Sequence, residues 1–165
     1  MFKKTMALSV ALLACNAFAL DTPIIGQVES KCMVTTDKQG VYGNPTASTL
    51  STDAVDGGVE PVVRFDVVLA NAYKAVIAHP TTFSQSPQLT DVIAWTGSTA
   101  VEAVSDAGMS AYDTSKVEYD NVTEIELTIA GSTWFKVSSE ADYGYNKALP
   151  GGTYTAIVEA NCIAL

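Results

Sequence analysis

Val122-Thr123-Glu124-Ile125-Glu126-Leu127-Thr128-Ile129 alternates between apolar and polar side chains. A period of two places Ile125, Leu127 and Ile129 on one face and Glu124, Glu126 and Thr128 on the other. That is the pattern of a half-buried strand. Working outward, similar strand signals cover residues 24–36, 62–69, 73–78, 91–96, 116–119, 133–137 and 153–163. Gly43-Asn44-Pro45, Asp56-Gly57-Gly58, Ala130-Gly131-Ser132 and Pro150-Gly151-Gly152 supply turn chemistry between them. Residues 40–58 read as the most loop-like stretch, and residues 100–109 as a short helix. Seven or eight short strands with this punctuation predict an all-β, antiparallel β-sandwich.

The first nineteen residues stand apart from that pattern. Lys3 and Lys4 precede a short apolar stretch and then Ala17-Phe18-Ala19. A basic start, an apolar core and a small-x-small site describe a secretory signal peptide, with cleavage after Ala19. The apolar stretch falls short of the about 20 residues that cross a bilayer. An alternative processing site, Leu12-Leu13-Ala14-Cys15, resembles that of bacterial lipoproteins and would anchor the protein through Cys15. The expected organisation is a signal peptide over 1–19 and one domain over 20–165.

Export reshapes the charge and the cysteine count. The whole chain carries 9 Lys+Arg against 18 Asp+Glu, a net charge of −9. Loss of Lys3 and Lys4 leaves seven basic residues against the same eighteen acids, a net charge of −11. Such a chain lacks the basic patch that nucleic acid requires, and it is repelled by anionic membrane surfaces. Of three cysteines, Cys15 belongs to the signal, leaving Cys32 and Cys162. In an oxidising compartment this pair is expected to form a disulfide. Each cysteine shares its alternating face with apolar neighbours, Val28 and Val34 in one case and Ala156, Val158 and Ala160 in the other. The competing readings are two free buried thiols, or a metal site, for which two cysteines and one histidine supply too few ligands.

No catalytic constellation is legible, and the chain is read as a non-enzyme with no cofactor and no metal. His79, the single histidine, precedes Pro80 and has no nucleophile motif beside it. The acidic stretch Ser51-Thr52-Asp53-Ala54-Val55-Asp56-Gly57-Gly58-Val59-Glu60 could offer oxygens to Ca²⁺ but lacks the alternating ligands of an EF-hand loop, so a solvated turn is expected. Tyr143 and Tyr145 are candidate ligand-facing rings, with a tyrosine-rich structural turn as the alternative. Trp95 and Trp134, within strand signals, are expected in the core.

Three stretches resemble bacterial fimbrial subunits of the chaperone–usher type. Ile25-Gly26-Gln27-Val28-Glu29-Ser30-Lys31-Cys32-Met33-Val34 is similar to the first strand of such pilins. Pro150-Gly151-Gly152-Thr153-Tyr154-Thr155-Ala156-Ile157-Val158 is similar to the stretch leading into their last strand. Ser86-Pro87-Gln88-Leu89-Thr90-Asp91-Val92 resembles a segment of colonisation-factor subunits. The resemblance implies an immunoglobulin-like sandwich sent to the periplasm and onward to a surface filament. It also implies partners: periplasmic chaperone and assembly machinery, and further copies that join by strand addition. On that reading the assembly strands carry Ile24, Ile25, Val28 and Val34 at one end, and Tyr154, Ala156 and Val158 at the other. A monomeric envelope binding module or lipoprotein with a closed sandwich, taking a glycan or protein ligand, is the alternative.

Overall fold

The computed structural model describes residues 32–165. The expected signal peptide over 1–19 and the positions Ile24, Ile25 and Val28 lie outside the described residues. Twelve strands occur among the described residues: β1 (Cys32–Lys38), β2 (Gly43–Thr46), β3 (Thr49–Ser51), β4 (Val62–Val67), β5 (Tyr73–Ala78), β6 (Phe83–Gln85), β7 (Ala94–Val104), β8 (Val117–Tyr119), β9 (Val122–Glu126), β10 (Gly131–Asp142), β11 (Thr155–Ala156) and β12 (Glu159–Ala164). Every strand pair is antiparallel.

Twelve-residue β10 organises the first sheet, ordered β1-β4-β10-β3-β2 with β7 also on β10. β4 pairs with residues 131–136 of β10 and β3 with residues 140–142, end to end along one edge. β7 runs along the opposite edge, from Val104 against Thr133 to Ala94 against Asp142. The second sheet is ordered β12-β5-β9-β8, and β6 and β11 form a separate small pair.

Period-two alternation builds the core between the two larger sheets. β4 contributes Val63, Phe65 and Val67, and β10 contributes Phe135 and Val137. From the second sheet come Tyr73, Ala75 and Ile77 of β5 and Ile125 of β9, with Leu127 just beyond. Phe65 and Phe135 meet edge-on across paired strands, ring centroids 5.6 Å apart. Such an edge-on contact stabilises the core beyond what burial of the two rings contributes. The polar partners face outward: Arg64 pairs with Asp66 at 2.9 Å and lies over the Trp134 ring.

Several expectations need correction. Residues 94–104 form one continuous strand, so the expected helix over 100–109 begins instead as a 3₁₀ turn at Ala107–Ala111, followed by α1 (Tyr112–Ser115). Pairing with β10 outweighs the helical tendency of Ala100, Val101, Glu102 and Ala103, as tertiary context commonly does. The loop-like stretch 40–58 holds β2, β3 and a 3₁₀ turn at Ala54–Asp56. Gly57 closes that turn at φ 79°, and a Cβ on Gly58 would collide with the backbone of Ser51 and Thr52. These short strands carry no alternation of their own, which is why twelve strands replace the expected seven or eight. Trp134 and Trp95 are half-buried rather than central. Trp134 falls on the outer face of β10, next to inward-facing Phe135, and Trp95 packs edge-on against Phe83 at 4.7 Å.

Phe135 is fully buried. Phe135→Ala is therefore expected to destabilise the fold by about 3–5 kcal/mol. Trp134→Ala, on the half-exposed outer face, should cost clearly less. Urea titrations of the two variants, compared at equal slope, check the ordering.

Candidate functional site: the seam between the first and last strands

Cys32 opens β1 at the edge of the first sheet, and Cys162 lies in β12 at the edge of the second. Their sulfurs form a disulfide that joins positions 130 residues apart, with Cα atoms 6.3 Å apart. The expected bridge is present. It is consistent with an oxidising, exported compartment, and no helix among the described residues is long and apolar enough to cross a membrane.

Alternation places the remaining seam residues. Along β1, Cys32 and Val34 turn inward, opposite Val67 and Phe65 of β4. Along the C-terminal stretch, Tyr154, Ala156, Val158, Ala160 and Cys162 are all half-buried, while residues 155, 157, 159, 161 and 163 are exposed. The period of two thus survives across residues 157–158, although the expected strand over 153–163 is split there into β11 and β12. Among the described residues no backbone hydrogen bond joins β1 to β12. The bridge holds two edges together that the sheets leave unpaired.

Away from the bridge the seam widens into a groove of about 780 Å³. Thr36 of β1, Val63 of β4 and Leu50 of β3 line one side, and Tyr154, Ala156 and Val158 line the other. Three expected assembly residues therefore lie on one groove wall, and Val34 lies on the strand that leads to it. Sequence reasoning missed the opposite wall. Tyr42 and Leu50 come from the stretch read as loop, and only the packing of β2 and β3 brings them here. The Tyr42 hydroxyl bonds Ser139 Oγ at 2.9 Å. Burial pushes its phenol above the ordinary value, and the Ser139 bond only partly offsets this. The Tyr154 hydroxyl donates to the Pro150 carbonyl at 2.7 Å, securing the turn before β11. Phe83 packs against Tyr42, Trp95 and Tyr154, so an aromatic group braces the groove from behind.

The other candidates separate. Tyr143 is 6% exposed, and its oxygen accepts from the Thr90 amide at 3.1 Å and bonds the Thr90 hydroxyl at 2.9 Å. These bonds tie the turn to Thr90, the arrangement expected of a tyrosine-rich structural turn. Tyr145, by contrast, is 91% exposed. The two do not form one platform, because the chain turns at Gly144 with φ 101°. His79 packs its ring over Gly97 and lies within 3.3 Å of the Pro80 carbonyl through Nδ1. In the acidic stretch, Asp53 Oδ1 accepts from the Val55 amide and the Asp53 carbonyl accepts from Gly58. Among the described residues no group of three or more His, Cys, Asp or Glu side chains is placed to hold a metal ion.

Comparison of the chain with protein-family models, curated proteins and solved structures finds no match.

Opening of the bridge frees a loop of 130 residues in the unfolded chain. Cys32→Ser/Cys162→Ser is expected to lose about 2–5 kcal/mol, read from urea unfolding of oxidised parent and variant. A second dependence lies at the far edge of the second sheet. Glu124 accepts from Lys74 Nζ at 2.9 Å and from the Tyr119 hydroxyl at 2.7 Å, tying β5, β9 and β8. The Lys74 bond and then the Tyr119 bond hold its carboxyl below the ordinary 4.5. Because the folded value is depressed, this contribution is complete above that pH and fades as pH falls through the folded value. Glu124→Gln should therefore lower stability slightly at neutral pH and converge on the parent as pH falls below about 4.5, which flattens the acid limb of a stability-against-pH curve.

Proposed function

We propose that the protein is an exported structural subunit of a fimbrial-type surface filament, with an immunoglobulin-like sandwich as its fold and the seam between β1 and β12 as its assembly site. The observation that carries this is the seam itself: two adjacent unpaired strand edges, over an apolar floor, opening into a groove. Unpaired edges attract further strands, since each presents a row of free amides and carbonyls. The sheet order gives further support. β1, β4, β10 and β7 lie side by side in one sheet, and β12 is an edge of the other with no strand beyond it among the described residues.

An added strand would hydrogen-bond to one edge and set alternate apolar side chains over Val34, Ala160 and Val158. The N-terminal stretch of another copy, with Ile24 and Val28, is the proposed donor, and a periplasmic chaperone would cover the seam before assembly. A monomeric envelope module with a glycan or protein ligand is the second reading. The Cys32–Cys162 bridge favours it, because a covalent tie limits how far the two edges can part.

Expression with its own secretion apparatus, followed by electron microscopy and non-reducing gels, separates the two. The subunit reading expects filaments, and expects Val158→Glu to abolish them while the oxidised, β-rich monomer persists. A parent that stays monomeric and folded with no partner strand overturns it. Mass spectrometry of the mature N-terminus adds a second arm: a free Leu20 fits release into a filament, and a lipid on Cys15 fits the anchored module.

A further inference from the structure

β7 is the longest edge strand, with eleven residues and only β10 as a strand partner among the described residues. Its outward backbone groups follow from the register. The Val137 amide donates to the Pro61 carbonyl and the Ser139 amide to Thr52 Oγ1, so both residues point away from β7. Opposite them, Thr99 and Gly97 turn their own amides and carbonyls away from β10. Val101, two residues beyond Thr99, does the same. Such an edge is a template for another strand unless something covers it.

Two charged side chains cover its middle. Asp113 Oδ1 accepts from the Val101 amide at 2.8 Å, and Lys116 Nζ donates to the Thr99 carbonyl at 2.6 Å. The carboxylate meets a donor and the ammonium meets an acceptor. Each hydrogen bond is therefore charge-assisted and takes the place of one rung of a β-ladder. Both side chains come from the segment 107–116, which is itself pinned. Met109 is fully buried and Tyr112 is 3% exposed, both within the core. The Tyr112 hydroxyl accepts from the Ile129 amide at 3.0 Å, and the Lys116 amide donates to the Tyr112 carbonyl at 3.0 Å. Lys116 also pairs with Glu118 at 2.8 Å.

We infer that the segment 107–116 is an edge guard, whose Asp113 and Lys116 occupy the rungs at Val101 and Thr99 and stop the β7 edge of one copy from pairing with that of another. The guard acts on one edge and does not require that the β1–β12 seam accepts a strand. Outside the β1–β12 seam, the outer edges of the two larger sheets need less protection. β2 is four residues with Pro45 inside it, and β8 is three residues.

The test uses the secreted, oxidised protein with Ser98→Cys as a reporter on β7, where the side chain is exposed. Asp113→Ala/Lys116→Met removes both rungs. Exchange of the Val101 amide with solvent deuterium should rise by about tenfold or more at low concentration, the factor carried by one charge-assisted hydrogen bond. On concentration, the variant should self-associate and the Ser98→Cys reporter should cross-link between copies with a short bifunctional thiol reagent. Asp113→Asn, which retains the acceptor oxygen, should behave like the parent. If the double variant fails to fold, Asp113→Ala and Lys116→Met alone carry the same readouts, each with a smaller change. A folded variant with faster Val101 exchange and no reporter cross-link at any concentration overturns the guard, even if seam-mediated association persists. Unchanged Val101 exchange overturns it as well.

Discussion

The two sheets share one apolar interior, and the Cys32–Cys162 bridge determines how their open edges meet around it. Phe65, Phe135, Ile77, Ile125 and Leu127 leave water only when both inner faces are present. That burial is the dominant favourable term in folding. It is also non-directional, and it does not by itself define the distance between β1 and β12, which share no backbone hydrogen bonds. The disulfide sets that distance at one end, and the rest of the seam follows from it. Near the bridge the edges are held close. Toward Thr36 and Val158 they part into the groove.

The edges of this fold are handled unequally. β7 meets Asp113 and Lys116 along its middle, β2 contains a proline, and β8 is short. β1 and β12 have seven and six residues, and no comparable charged cover is seen on either among the described residues. Unsatisfied strand edges carry a risk of indiscriminate pairing, so selective cover concentrates the capacity for pairing in one place. The proposed assembly role of the seam rests on this asymmetry more than on any single side chain.

The local pattern was legible where strands are long and one face is buried. Residues 122–126, 62–67 and 73–78 appear as strands close to where alternation puts them. The stretch from Tyr154 to Cys162 keeps its alternating burial across a break between strands. The missed strands have one cause. β2, β3, β6 and β11 are two to four residues long, too short for a period to register. Residues 100–104 combine Ala, Val and Glu in a way that also suits a helix, and only the edge of β10 decides for strand. Half of the groove wall was hidden for the same reason, since Tyr42 and Leu50 sit in segments without a pattern of their own.

By itself the sequence determined the β class, the inward faces of the long strands and the pairing of Cys32 with Cys162. Those properties rest on side-chain period and cysteine count, both of which are local or countable. Only the tertiary structure decided which strands are neighbours, that the bridge links edges of two different sheets, and that Tyr143 is an anchor while Tyr145 is exposed. It alone placed Asp113 and Lys116 on the rungs of β7. Strand adjacency depends on closing long loops and on the summed burial of two faces. Neither is a property of any stretch of chain read on its own.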